Sequence, residues 1–149
     1  MRGYILKRGE GEKLFGGSLI IKASPRSGSE RTEMFWNAMS AGQSTGVHVH
    51  LTSDEFFYVI AGSGTALVDE REAPIKAGDS IFIPRGEDHR IRSSADDPLE
   101  LLFLVDVPGL AGRFRDAHLQ FEQTGEWHPT LEQLNAIAEK HGTIYKTLD

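Results

Sequence analysis

The sequence predicts an all-β domain, an antiparallel sandwich or barrel, closed off by two short C-terminal helices. Three observations predict it. Short runs rich in Val, Ile, Phe, Tyr and Leu recur from Thr32 to Asp106; clusters of Gly, Pro, Ser and Asp bound them; and beyond Pro108 the apolar spacing becomes that of a helix. With 149 residues, 39% of them hydrophobic and 26% charged, the chain is expected to form one domain over 1–149. Its barrel core is expected over about 32–107 and its helical tail over about 109–142.

Taken in order, a first strand is expected around Leu19 to Ile21, followed by the polar loop SPRSGSER at 24–31. The next strands are EMFWNAM (33–39), VHVHL (47–51), EFFYVIA (55–61), GTALVD (64–69), DSIFIP (79–84), HRIRS (89–93) and LELLFLVDV (99–107). Gly62-Ser63-Gly64 reads as a tight hairpin and Pro84-Arg85-Gly86 as a second turn, so neighbouring strands are expected to pair antiparallel. In the tail, Leu110, Phe114, Ala117 and Phe121 make one helical stripe. Thr130 and Gln133 form a capping box ahead of Leu131, Leu134, Ile137 and Ala138, Gly142 stops the helix, and TGEWHP joins the two helices. Both helices are expected to cover the sheet.

Composition narrows the function. A net charge of -6, from 16 Lys+Arg against 22 Asp+Glu, argues against nucleic acid or anionic lipid as the main partner. The absence of cysteine excludes disulfides, thiolate ligands and thiol nucleophiles, leaving His and carboxylates to hold any transition metal. The start MRGYILKRGEGEK has no apolar signal stretch, and the longest apolar run, LLFLV at 101–105, is too short for a bilayer, so a soluble cytoplasmic protein without membrane contact is expected.

The chemistry concentrates in GVHVHLTSDEFFYVIAG, residues 46–62. Side chains at i and i+2 share a strand face, so His48 and His50 project side by side. Thr52, Ser53 and Asp54 are expected to reverse the chain so that Glu55, opening the partner strand, reaches back toward them. A lone His-x-His is weak evidence, but GDSIFIPRGEDHRIRS (78–93) adds His89 at the start of another strand.

On these residues the chain resembles the cupin superfamily. Gly42, His48, His50, Glu55 and Gly62 fit the first cupin motif at every spacing, and Gly78, Pro84, Gly86 and His89 fit the second, with Ser93 where asparagine is usual and 15 residues between the motifs. The resemblance implies a small double-stranded β-helix, the jelly-roll or cupin barrel, holding one divalent metal on His48, His50, Glu55 and His89. Imidazoles with one carboxylate independently suit Fe, Mn, Ni, Cu or Zn rather than Ca or Mg, and four donors on an octahedral ion leave two positions open. The tail segment LNAIAEKHG looks like that of the quercetin-dioxygenase-like group. Dimerisation follows from the same resemblance and from the exposed strand edges.

By alternation Phe57 and Val59 face inward with Glu55, and Ile91 and Ser93 with His89, making these four candidate pocket-lining residues. On 33–39 the alternation leaves open which face is interior. His118, His128 and His141 match no ligand spacing and are assigned to solvent; Arg85, Glu87, Asp88 and Arg90 are read as surface charge near the barrel mouth. Three functions fit: a metal-dependent dioxygenase on a small aromatic, enolic or diketone substrate, with Glu55 a possible base as well as a ligand; a non-redox isomerase or lyase using the metal as Lewis acid; and a non-catalytic small-ligand binder.

Overall fold

The computed structural model describes residues 3–125 and 128–149. Glu126 and Trp127 of the TGEWHP turn, and Met1 and Arg2 of the N-terminal stretch, lie outside the described residues. In chain order the strands are β1 (Glu12–Leu14), β2 (Leu19–Ala23), β3 (Glu33–Ala38), β4 (His48–His50), β5 (Glu55–Ala61), β6 (Ser63–Val68), β7 (Arg71–Lys76), β8 (Ser80–Ile83), β9 (His89–Ser93), β10 (Glu100–Val105) and β11 (Thr143–Tyr145). Two helices, α1 (Leu110–Thr124) and α2 (Leu131–Ala138), stand between β10 and β11.

The strands form two antiparallel sheets, β1-β2-β3-β10-β5-β8 and β11-β4-β9-β6-β7, the all-β jelly roll that the motif resemblance implies. Three consecutive pairs expected to fold back as hairpins do not. β4 and β5, β5 and β6, and β8 and β9 lie in opposite sheets, so the chain crosses between sheets at 51–54, at Gly62 and at 84–88. Glycine is required at one such corner for its geometry: at Gly62, with φ 80°, a Cβ would stand 2.0 Å from the carbonyl oxygen of Pro98. Antiparallel pairing itself holds throughout, but mostly between strands distant in sequence, such as β3 with β10 and β6 with β9.

Alternation decides the faces. On β5 the buried residues are Glu55, Phe57 and Val59, and on β9 they are His89, Ile91 and Ser93. On β3 the structure settles the question left open by the sequence, since Glu33 and Phe35 are buried. Registers Phe103↔Phe35 and Phe103↔Phe57 line up three rings across adjacent strands, with centroids 4.8 Å and 5.2 Å apart. Such ring pairs contribute about 0.5–1.5 kcal/mol each beyond burial.

The tail does more than cover the sheet. Buried Glu33 accepts the backbone N–H groups of Gly109 (3.2 Å) and Ala111 (2.9 Å), placing its charge at the positive end of α1. Further along the helix Arg115 binds Glu12 through two nitrogens, at 2.8 Å and 2.6 Å, and Phe114 packs edge-on against Phe35. The capping box of α2 is present, with Gln133 N–H donating to Thr130 Oγ1 (3.2 Å) and Thr130 N–H to Gln133 Oε1 (2.9 Å). Asn135 of α2 then bonds both backbone groups of Tyr145, fastening β11 alongside β4.

Candidate metal centre

Four side chains from three strands meet inside the barrel. His48 and His50 point inward from β4, His89 opens β9 directly opposite His48, and Glu55 opens β5 in the other sheet. All four are buried, and one ligand atom from each lies within 4.8 Å of the others. Glu55 Oε2 is 3.2 Å from His50 Nε2 and 3.1 Å from His89 Nε2. The two sheets are therefore bridged here, with imidazoles on one wall and the carboxylate on the other.

Each imidazole is oriented from behind. His48 Nδ1 lies 3.0 Å from the carbonyl of Gly46, and His89 Nδ1 lies 3.0 Å from that of Glu87. A carbonyl only accepts, so in both rings Nδ1 carries the proton and Nε2 the lone pair. His50 Nδ1 meets the hydroxyl of Thr143 at 2.9 Å. His50 Nε2 donates to the Glu55 carboxylate at 3.2 Å, a proton that a metal ion would replace, so three Nε2 atoms and a carboxylate directed at one small space form a donor set suited to a divalent transition ion. His89 Nε2 supplies the test of fit: it is closed to water and makes no hydrogen bond of acceptable geometry, despite its closeness to Glu55. A buried lone pair with no donor is costly, and a metal ion satisfies it.

The electrostatics agree. Burial, reinforced by repulsion from the His89 and His50 rings, pushes His48 well below the usual histidine range, keeping it neutral and able to donate its lone pair. At Glu55, burial works to raise the carboxyl, but the neighbouring His50 and His89 rings outweigh it and hold the group well below the usual carboxylate range.

The other candidates fall into two sets. Phe57, Val59 and Ile91 are packed in the hydrophobic core, on the same faces as the cluster residues. Ser93 takes a different part: its hydroxyl accepts the Leu99 N–H at 2.9 Å and fixes the 94–99 loop, while the groups behind the imidazoles are Gly46, Glu87 and Thr143. His118 and His141 do not join the cluster; they pair with Glu122 (3.3 Å) and Asp116 (2.7 Å), and His128 is exposed. Arg85 binds Asp54 and Asp106, Arg90 binds Glu72, and Asp88 binds Lys146.

Sequence reasoning missed three residues. Thr143 stands behind His50, and Tyr145 stacks on His48 with centroids 4.9 Å apart. Their signal was the β-branched and aromatic run TIY after the Gly142 stop. Arg113 lies on the buried stripe of α1 between Leu110 and Ala117, where a charge is out of place and could have been flagged.

Comparison with known proteins adds family context. A family model described as Cupin domain matches residues 35–105. The oxalate-binding protein of Thermotoga maritima is 36% identical over 64 residues, 43% of this chain and 53% of that protein. The chain spans about half the length of the curated relatives it matches. The crystal structure of the TT1209 protein of Thermus thermophilus is similar with a TM-score of 0.55 at 32% identity, over 69% of this chain and 90% of that one. That of a predicted oxalate decarboxylase of Thermotoga maritima gives a TM-score of 0.56 at 27% identity, over 60% of this chain and 78% of the other.

Proposed function

The chain belongs to the cupin superfamily, and from that premise we propose that it is a metal-dependent enzyme acting on a small molecule inside its barrel. The first reading is a dioxygenase for an aromatic, enolic or diketone substrate. The observation that carries it is the convergence of His48, His50, Glu55 and His89 within 4.8 Å, with the histidines oriented through Nδ1.

In this reading those four residues hold one ion of Fe, Mn, Ni, Cu or Zn. When bound, such an ion supplies Lewis-acid activation of a substrate oxygen and, where it is redox-active, electron exchange with dioxygen. The chain supplies the rest. Gly46, Glu87 and Thr143 keep the imidazoles aimed, and Glu55 is the one carboxylate of the cluster, a ligand in this reading and the group to receive a substrate proton if one is transferred. Phe57, Val59 and Ile91 line the wall with apolar surface that excludes water.

A second reading, a non-redox isomerase or lyase or a non-catalytic binder, is favoured by the similarity to the predicted oxalate decarboxylase and the oxalate-binding protein. The test is elemental analysis of untagged protein, followed by turnover in an oxygen electrode and again under strict anaerobiosis. One metal per chain with oxygen consumed in step with substrate supports the dioxygenase. Equal turnover without oxygen replaces it with the second reading.

Three further expectations belong to the proposal. Residues 1–149 act as one domain, giving a single unfolding transition. The protein is a homodimer, supported by exposed Phe56, Tyr58, Ile60 and Phe82 on adjoining β5 and β8, an apolar surface suited to self-association and checked by sedimentation velocity. It works in the cytoplasm; no helix among the described residues is long and apolar enough to cross a membrane.

A further inference from the structure

Arg113 is a half-buried cation with no anion. It lies in the first turn of α1, three residues after Leu110 and four before Ala117, both buried. Its Nε and Nη1 are closed to water and have no hydrogen-bond acceptor. Other charges nearby are answered: Arg115 binds Glu12 and Ser24, and Glu33 binds two backbone N–H groups. Arg113 enters none of the side-chain ion pairs found among the described residues. Two donors closed to water without an acceptor are costly, because they lose their hydration and gain no hydrogen bond in return; the Phe114 ring, its centre 4.4 Å from the guanidinium carbon, answers the charge only in part.

Its position relates it to the cluster. The guanidinium carbon is 5.2 Å from the centre of the Tyr145 ring, and that ring stacks on His48 at 4.9 Å. The group also lies within electrostatic reach of Glu55 and His48. Burial lowers its pKa and the Glu55 charge partly restores it, leaving a value of about 10, so the side chain is a cation at neutral pH. The helix beneath it is pinned by Glu33 at its start, by Glu12 at Arg115 and by the Asp116 to His141 pair, so the base of the side chain is held in place.

We propose that Arg113 anchors the negatively charged group of the substrate, and that the substrate is therefore a small carboxylate whose reacting end lies at the His48, Glu55 and His89 cluster. This rests on reading the cluster as the reaction site. The planar guanidinium and its unanswered donors fit a carboxylate, which supplies the anion that Arg113 lacks. The fold tolerates the unpaired charge because ligand binding pairs it.

The test uses the full chain loaded with Mn(II), with uptake measured first by electron paramagnetic resonance. Pyruvate and oxalate are the probes, and pyruvamide is the neutral control, all titrated by calorimetry. Arg113→Gln is expected to take up Mn(II) as wild type does, to bind both carboxylates at least tenfold more weakly, and to leave pyruvamide unaffected; Arg113→Lys loses less. In the metal-free protein, Arg113→Met is expected to raise the thermal midpoint, because it removes a half-buried unpaired charge. Equal carboxylate binding by wild type and Arg113→Gln, or none by wild type, overturns the anchor, as does a lowered midpoint in Arg113→Met, which would mark the guanidinium as a strut. Failure of wild type to take up Mn(II) refutes the metal reading instead. Arg113-dependent binding of pyruvate to the metal-free chain then sustains the anchor, and its absence overturns it.

Discussion

The three imidazoles differ in what stands behind them: two lean on backbone carbonyls and His50 leans on the Thr143 hydroxyl. Only the last support is open to side-chain mutation, which makes it a direct probe. Thr143→Val is expected to weaken metal affinity by about 10- to 100-fold while the fold persists, checked by competition with a fluorescent chelator. His89→Ala and Glu55→Gln are expected to reduce metal content toward zero by elemental analysis. Ser93→Ala should behave oppositely, costing about 1–3 kcal/mol in urea unfolding by leaving the buried Leu99 N–H without its acceptor, with metal uptake unchanged. Acid should destabilise the metal-free protein. The folded-state pKa of His48 lies below its unfolded value, so as pH falls below about 6.5 the unfolded chain binds a proton that the folded chain refuses. Urea midpoints at pH 7.5 and 5.5 measure this, and His48→Gln should flatten the difference. The cluster residues were legible in the sequence because two local motifs carry them at fixed spacing. Thr143, Tyr145 and Arg113 were not, because only the docking of the tail brings them to the barrel.

Most strands were legible as elements; their partners were not. Period-two patterning locates β3, β5 and β9 well, but it carries no information about which sheet a strand joins. The Gly62 corner was read as a hairpin for that reason, since a glycine turn looks alike whether the chain folds back or crosses over. Three strands, β1, β7 and β11, were missed, the last two for identifiable causes. β7 carries Pro74, which argues against an interior strand, yet β7 is the edge of its sheet, where a missing N–H is tolerated. β11 is three residues long and pairs with a strand almost a hundred positions earlier. Gly62→Ala is expected to destabilise the fold by more than about 2 kcal/mol in urea unfolding, because the added Cβ meets the Pro98 carbonyl and the backbone must leave its left-handed angle. Ending the chain after Gly142 removes Thr143 and Tyr145 together, and should abolish tight metal uptake more completely than Thr143→Val alone.

For the whole molecule, the cluster joins two sheets that otherwise meet through apolar packing. The barrel class and the helical tail followed from the period change near Pro108, and the structure keeps both; what sequence could not supply was the crossing pattern that sets Glu55 opposite His89. Because the donors come from both walls, metal removal should loosen the entire barrel. At ligand concentrations a hundredfold above Kd, a bound ion contributes about 2.7 kcal/mol of stability. For a chain of this size that is a fall of roughly 5–10 °C in Tm on chelation, readable by calorimetry and reversed by adding the ion back.

The pairing of β11 with β4 also fixes a sequence of events during synthesis. Thr143 stands against His50 across the last strand junction, so the grip on that imidazole is not complete until residues 143–145 have cleared the ribosome. His48, His50, Glu55 and His89 emerge well before then. An ion that the cluster takes up before this segment docks would meet His50 without its Thr143 support, and would be held correspondingly less firmly.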